Sequence, residues 1–349
     1  MSDFNYHEKL NIKNTKKLRE LISELPRFCG DFFRGMENTT SSKTRIAYAY
    51  DLKVFFEFIC NTNPAYKNAS IKEFKIDILD NVTALDIEEY LEYLTYYKSE
   101  DKEYINSATG KKRKLTTLRS FYNYYYKKEM IETNPTVLVD LPKITSKEII
   151  RLDPDEVAKL LDAVESGEHL TERQKAYHNK TKKRDLAIIT LFLGTGIRVS
   201  ECVGLDVDDV DFNNDGIKIT RKGGNEAIIY FGEEVRDALE DYMIEREDII
   251  TKEGHEDALF LSLQNRRISV RAVENLVKKY SSSVTSLKNI TPHKLRSTYG
   301  TSLYQATGDI YLVADVLGHS DVNTTKKHYA AILDSRRRGA ADKVKLRKD

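Results

Sequence analysis

Cysteine is scarce in this sequence and tryptophan is missing altogether. The three cysteines, Cys29, Cys60 and Cys202, lie far apart with no Cys-x-x-Cys spacing, which leaves no basis for a disulfide framework or a thiolate zinc site. Long apolar runs are lacking too. The stretch from Leu186 to Leu193 falls well short of the ~20 residues a membrane helix needs, and the N-terminus shows no basic-then-apolar signal pattern. These absences predict a cytoplasmic protein with no membrane partner. Net charge is nearly absent as well: 56 Lys and Arg stand against 55 Asp and Glu, for a formal +1. Taken as a total, that balance argues against a polyanionic partner. What the chain does have is 349 residues, 40% of them hydrophobic, with 21 Tyr and 13 Phe, enough for two domains with a core each.

The first 144 residues read as helical. Residues 1–30 form a polar, basic N-terminal extension with one helical pattern around Leu18, Leu21, Ile22 and Leu25. From Thr44 to Cys60, apolar residues recur at helical spacing and stop at Asn61, Thr62, Asn63 and Pro64. Thr83 ahead of Asp86 opens a second helix, and a third covers roughly 113–130 before Asn134 and Pro135 end it. Residues 31–144 are thus expected to form one all-helical domain, with 140–146 as the linker out of it.

Beyond the linker the pattern is mixed. Asp153 and Pro154 start a helix, residues 166–183 read as a polar loop or insertion, and a buried helix at about 185–195 breaks at Gly194 and Gly196. Three short strand signals follow around 210–212, 217–220 and 227–230, separated by Gly-rich turns. Helices resume at about 233–246, 269–283, 292–306 and 309–317. The expected fold class is mainly α, a helical N-terminal domain followed by an α+β domain over 145–335 with a small antiparallel sheet, then a basic tail over 336–349.

Four motifs in the second domain carry chemistry. Thr291 and Pro292 open a helix, placing His293 in its first turn and Arg296 three residues later, beside the donor-rich end that favours an anion. Alone, such a pair is an ordinary solvated helix feature. Upstream, Arg198 stands just past the glycine-broken helix, with Glu201 three residues on in a structural role. Lys222 sits at a strand–Gly–Gly turn. Downstream, Leu317, Gly318 and His319 precede Tyr329.

In this order, Arg198, Lys222, His293 with Arg296, His319 and Tyr329 resemble the catalytic domain of the tyrosine recombinases, the family of phage integrases and Xer proteins. The resemblance spans roughly residues 35–335, and the helical domain resembles the family's core-binding (SAM-like) domain. It implies a clamp of two domains around double-stranded DNA, a homotetramer on paired sites, with or without a second recombinase or accessory protein, and a nucleoid-associated location. In the implied chemistry Tyr329 attacks a phosphodiester and forms a 3′-phosphotyrosyl link. Arg198 and Arg296 hold the non-bridging oxygens, His293 takes or relays the tyrosine proton, His319 donates to the phosphate, and Lys222 protonates the leaving 5′-oxygen. No cofactor or metal is implied, since the arginines supply the charge. The family spacing sets the tyrosine nine residues after the last His; that place holds His328 here, and Tyr329 is one further on.

The neutral total charge also conceals segregation. Lys111, Lys112, Arg113, Lys114, Arg119, Lys127 and Lys128 fall in a stretch without acids, interleaved with Tyr122, Tyr124, Tyr125 and Tyr126. These seven are the expected DNA contacts. His7, His169, His178 and His255 are assigned no partner and no function. The expected activity is Xer-like site-specific recombination, as in chromosome or plasmid dimer resolution. An integrase of a mobile element, a relaxing topoisomerase and a non-catalytic DNA-binding regulator are the alternatives.

Overall fold

A computed structural model describes residues 4–67, 69–99, 101–144, 150–221, 224–285, 287–319 and 321–322. The chain divides into two compact units, Met1–Lys147 and Glu148–Asp349. Both are mainly helical, with small antiparallel sheets, so the expected fold class holds. Among the described residues, no helix is long and apolar enough to cross a membrane.

The first unit is built from α1 (Tyr6–Ile22), α2 (Cys29–Gly35), α3 (Ser42–Thr62), α4 (Ala84–Tyr93) and α5 (Ala108–Tyr126). A two-stranded hairpin, β1 (Tyr97–Ser99) and β2 (Lys102–Tyr104), precedes α5. Helix α1 is part of this unit rather than appended to it. It packs on α3, and Leu18, Leu21 and Leu25 are buried in the common core. The hairpin has no counterpart in the sequence reading, because its three-residue strands are too short to show alternation.

Aromatic rings dominate this core. Phe121 meets Phe32 edge-on at 5.1 Å and Tyr125 at 5.2 Å, and Phe56 lies at 6.2 Å. Such edge-to-face pairs add to the gain from area burial. The tyrosines of α5 are therefore mostly internal. Tyr122 and Tyr125 are fully buried, and their hydroxyls donate to the Leu79 and Phe28 carbonyls. Burial pushes both phenols far above their ordinary range.

One buried carboxylate fixes α5 to α3. Asp51 is 1% exposed and accepts from Arg113 Nη1 and Nη2 at 2.5 and 2.7 Å, Lys114 Nζ at 3.0 Å and Thr117 Oγ1 at 2.8 Å. A charge this deep persists only with such partners.

The second unit has α6 (Pro154–Ser166), α7 (Glu172–His178), α8 (Lys182–Thr195) and α9 (Val199–Gly204), then the sheet β3 (Val210–Asp211), β4 (Gly216–Thr220) and β5 (Glu226–Tyr230). Helices α10 (Glu233–Glu247), α11 (Val270–Val284), α12 (Pro292–Thr307) and α13 (Ile310–Val316) follow. The sheet order is β3-β4-β5, with Ile217 paired to both Val210 and Ile229. Helix α8 is the apolar centre and packs against α6, α10 and α12. At its start the buried Asp185 accepts from Thr181, Arg184, Lys279 and Tyr280, tying α8 to α11.

Two expectations are corrected here. The 166–183 segment is not only loop: Thr171 and Gln174 form a capping box that starts α7. His178, at the end of that helix, has a partner. It is buried, its Nε2 lies 2.7 Å from the Val164 carbonyl, and its ring meets Tyr280. His255 Nδ1 likewise accepts from the Arg267 backbone N–H at 3.2 Å.

Replacing Asp51 with Ala strands Lys114 as an uncompensated buried cation. The expected loss is about 3–5 kcal/mol, read by equilibrium denaturation of the full chain, with Asp51→Asn losing less.

Candidate active site

The site begins where α8 stops. Gly196 closes this helix in the left-handed conformation, at φ +65°, and a Cβ there would stand 2.5 Å from Tyr299 Cδ1 and 2.8 Å from Leu317 Cδ2. Only glycine satisfies both the dihedral and the close approach. The chain then turns into α9 and places Arg198 at its N-terminus.

Glu201 holds this arginine. The carboxylate is buried, accepting from the Arg198 backbone N–H at 2.8 Å through Oε2 and from Arg198 Nη1 at 2.7 Å through Oε1. The expected structural role of Glu201 is thus visible in its two bonds to Arg198 itself. The Arg198 side chain remains 34% exposed.

On the other side of the site, α12 starts with Pro292 at its first position, and Thr291 occupies the cap position without a side-chain hydrogen bond. His293 in the first turn is exposed and Arg296 is 5% exposed. The two lie on one face of α12, with His293 exposed at the helix start and Arg296 one turn further in, where it is covered. Arg296 Nη1 donates to the Gly196 carbonyl at 2.5 Å, and Nη2 donates to the Leu317 carbonyl.

The third component is the end of α13. Gly318, at φ +59°, donates its N–H to the Asp315 carbonyl at 2.8 Å, and His319 donates its own to Ala314 at 2.9 Å. That pair of bonds is a Schellman closure. It leaves the last carbonyls of the helix in need of donors, and arginines provide them. Arg198 Nη2 reaches the carbonyls of Leu317 at 3.2 Å and Gly318 at 2.9 Å, and Arg296 shares the Leu317 oxygen. Cations at a helix C-terminus also match its dipole.

Two guanidiniums from elements 98 positions apart in sequence thus meet on one turn, and His319 follows directly. Planar forks fixed in this way suit a phosphate, whose oxygens accept paired N–H bonds.

Comparison with known proteins decides the family. Residues 150–336, just over half of the chain, match the phage integrase family. The chain belongs to that family. It is 36% identical over 317 residues to the tyrosine recombinase XerC of Caldanaerobacter subterraneus subsp. tengcongensis, covering 88% of this chain and 82% of the relative. It is 30% identical over 360 residues to the tyrosine recombinase XerS of Streptococcus equi subsp. zooepidemicus, covering 94% and 98%. In fold it is similar to the XerH site-specific recombinase bound to a palindromic difH substrate, with a TM-score of 0.62 and 22% identity over 82% of this chain and 76% of the other. The chain is a member of the tyrosine recombinases.

Of the six expected site residues of this recombinase, Arg198, Arg296 and His319 come together around the turn after α13, and His293 lies at the exposed start of α12. Lys222 and Tyr329 lie outside the described residues. Sequence reading missed Arg221, which donates through Nη2 to the Val316 carbonyl at 3.3 Å. Its only signal was a place next to Lys222, since the partner is 95 positions away.

The expected DNA contacts divide. Lys114 is 6% exposed and bound to Asp51, so it does not present its charge to a ligand, a correction that follows from the face of α5 it occupies. Arg113 forks onto the same carboxylate, and Arg119 donates to the Thr136 and Val139 carbonyls. Lys111 bonds Thr95, Lys112 is half-buried, and Lys127 and Lys128 are exposed, the latter over the Tyr124 ring.

Gly196→Ala is expected to lower stability by about 1–3 kcal/mol through left-handed strain plus overpacking. Gly224→Ala is the control, because Gly224 also has a positive φ but nothing within 4 Å of a Cβ. Thermal unfolding should show the larger loss at Gly196.

Proposed function

We propose that this protein is a Xer-like site-specific DNA recombinase that cuts and rejoins duplex DNA through a phosphotyrosine link at Tyr329. The observation that carries the reading is the meeting of Arg198 and Arg296 on the turn that leads into His319. The near full-length similarity to chains named tyrosine recombinase XerC and XerS supports the Xer-like assignment.

In the proposed step, Arg198 and Arg296 bind the two non-bridging oxygens of the scissile phosphate and offset the charge that grows as the nucleophile approaches. Tyr329 Oη attacks phosphorus, a P–O(Tyr) bond forms and the P–O5′ bond breaks. The phenolic proton passes to His293, and the departing 5′-oxygen takes a proton from Lys222. His319 donates to a phosphate oxygen. The phosphodiester energy is kept in the tyrosyl ester, so attack by another 5′-hydroxyl reseals a strand with no external energy source. Four protomers on two paired sites complete the reading, as the family resemblance implies.

Two tests follow. Incubating the protein with genomic DNA, trapping under denaturing conditions and sequencing the linked ends should give discrete cleavage positions. Tyr329→Phe should lose covalent capture on a nicked duplex built from such a position while still binding it; continued capture would overturn the role of Tyr329. Binding should also weaken steeply with salt. The double variant Lys127→Ala, Lys128→Ala should flatten the log–log slope by about 1–2, whereas a slope equal to that of the unaltered protein would remove this pair from the DNA-contacting face.

A further inference from the structure

Three arginines, not two, donate to the carbonyls at the end of α13. Arg221 is the residue after β4 and immediately precedes Lys222. Its backbone closes the hairpin, with Arg221 N donating to the Asn225 carbonyl at 2.7 Å and Gly224 N donating to the Arg221 carbonyl at 3.1 Å. Its side chain leaves the hairpin and reaches the Val316 carbonyl. There the guanidinium occupies the space beside Gly318, where a Cβ would stand 2.5 Å from Arg221 Cζ. Arg221 Nε is buried and has no hydrogen-bond partner among the described residues. A buried N–H of this kind is costly to leave unpaired, and the close approach to Gly318 and the bond to the Val316 carbonyl are the contacts set against that cost.

We propose that Arg221 is a positioning residue for DNA cleavage. It fastens the β4–β5 hairpin, at the residue before Lys222 in the chain, to the turn that Arg198 and Arg296 also grip, and its loss is expected to impair the proton transfer proposed for Lys222. The inference rests on the recombinase reading above. Gly318 is its counterpart: the same glycine that permits the left-handed closure of α13 also leaves the space that the guanidinium fills. Arg221 touches neither the phosphate nor the tyrosine in this scheme. Its effect is transmitted through the proton that Lys222 delivers to the 5′-oxygen.

That route makes a selective test available. When the 5′-bridging oxygen of the scissile phosphate is replaced by sulfur, the leaving group is a thiolate, which departs without a proton. On a nicked duplex built from the mapped cleavage position, Arg221→Ala should cleave the ordinary phosphodiester about 10- to 100-fold more slowly than the unaltered protein, the size expected for a misplaced catalytic group. On the sulfur-bridged substrate it should cleave close to the unaltered rate, and Arg221→Lys should fall between. An equal loss on both substrates would overturn the proposal, because the residue would then be supporting the arginine pair or the fold in general. Full activity of Arg221→Ala on the ordinary duplex would also overturn it.

Absence of covalent capture by the unaltered protein would instead refute the recombinase reading on which the inference stands. A separate arm needs no DNA. Gly318→Ala should lower the thermal midpoint more in the unaltered background than in Arg221→Ala, where the overlapping guanidinium is gone. Strict additivity would remove the contact.

Discussion

The catalytic unit depends on one acceptor, the carbonyl oxygen of Leu317. Arg198 comes to it from the segment after α8, and Arg296 comes from α12. A helix end normally leaves its last carbonyls to water or to a cap. Here those carbonyls serve as the reference point on which two guanidiniums are aligned. The two arginines are desolvated to different degrees: the Arg198 side chain keeps 34% of its surface, whereas Arg296 is almost wholly covered among its acceptors. Backbone oxygens fix them without neutralising the charge. A carboxylate in place of the Leu317 carbonyl would add a second negative charge beside Arg198, which Glu201 already contacts, and would weaken the field an anion needs.

Carboxylates do the fixing elsewhere, and for Arg198 one is added on the side away from the Leu317 carbonyl. Glu201 fixes Arg198 from behind, Asp185 fixes the start of α8, and in the other unit Asp51 fixes α5. All three are buried and all three collect several donors. The near-zero net charge of the chain is in part the result of this internal pairing. A count of acids and bases cannot separate a cation spent on a buried partner from one turned to solvent, and for that reason the total charge was a poor guide to the chain's partners.

Much of the fold was legible in the sequence. Helical periodicity, Pro and Asn stops and Gly-rich turns located α3, α4, α8 and the three-stranded sheet because those signals are local. Helix α7 and the β1–β2 hairpin were not legible, one because it is seven residues long and mostly polar and the other because its strands are three residues long. In the candidate site, the residue types and their order were readable. Their mutual support was not. The bonds from Arg198 and Arg296 to the α13 turn, and from Lys114 to Asp51, join positions separated by 119, 21 and 63 residues. Nothing periodic marks such pairs. The basic run on α5 shows the same limit: its charges read as one surface, yet a helix turns every fourth one inward.

The Schellman closure of α13 has a further consequence, one of reach. Since the His319 N–H is tied back to Ala314, the chain leaves the site from a fixed point. Tyr329 stands ten positions further along the chain, a length that can span at most about 33–36 Å. The additional residue relative to the family spacing therefore raises that upper bound on the reach of the proposed nucleophile by about 3 Å.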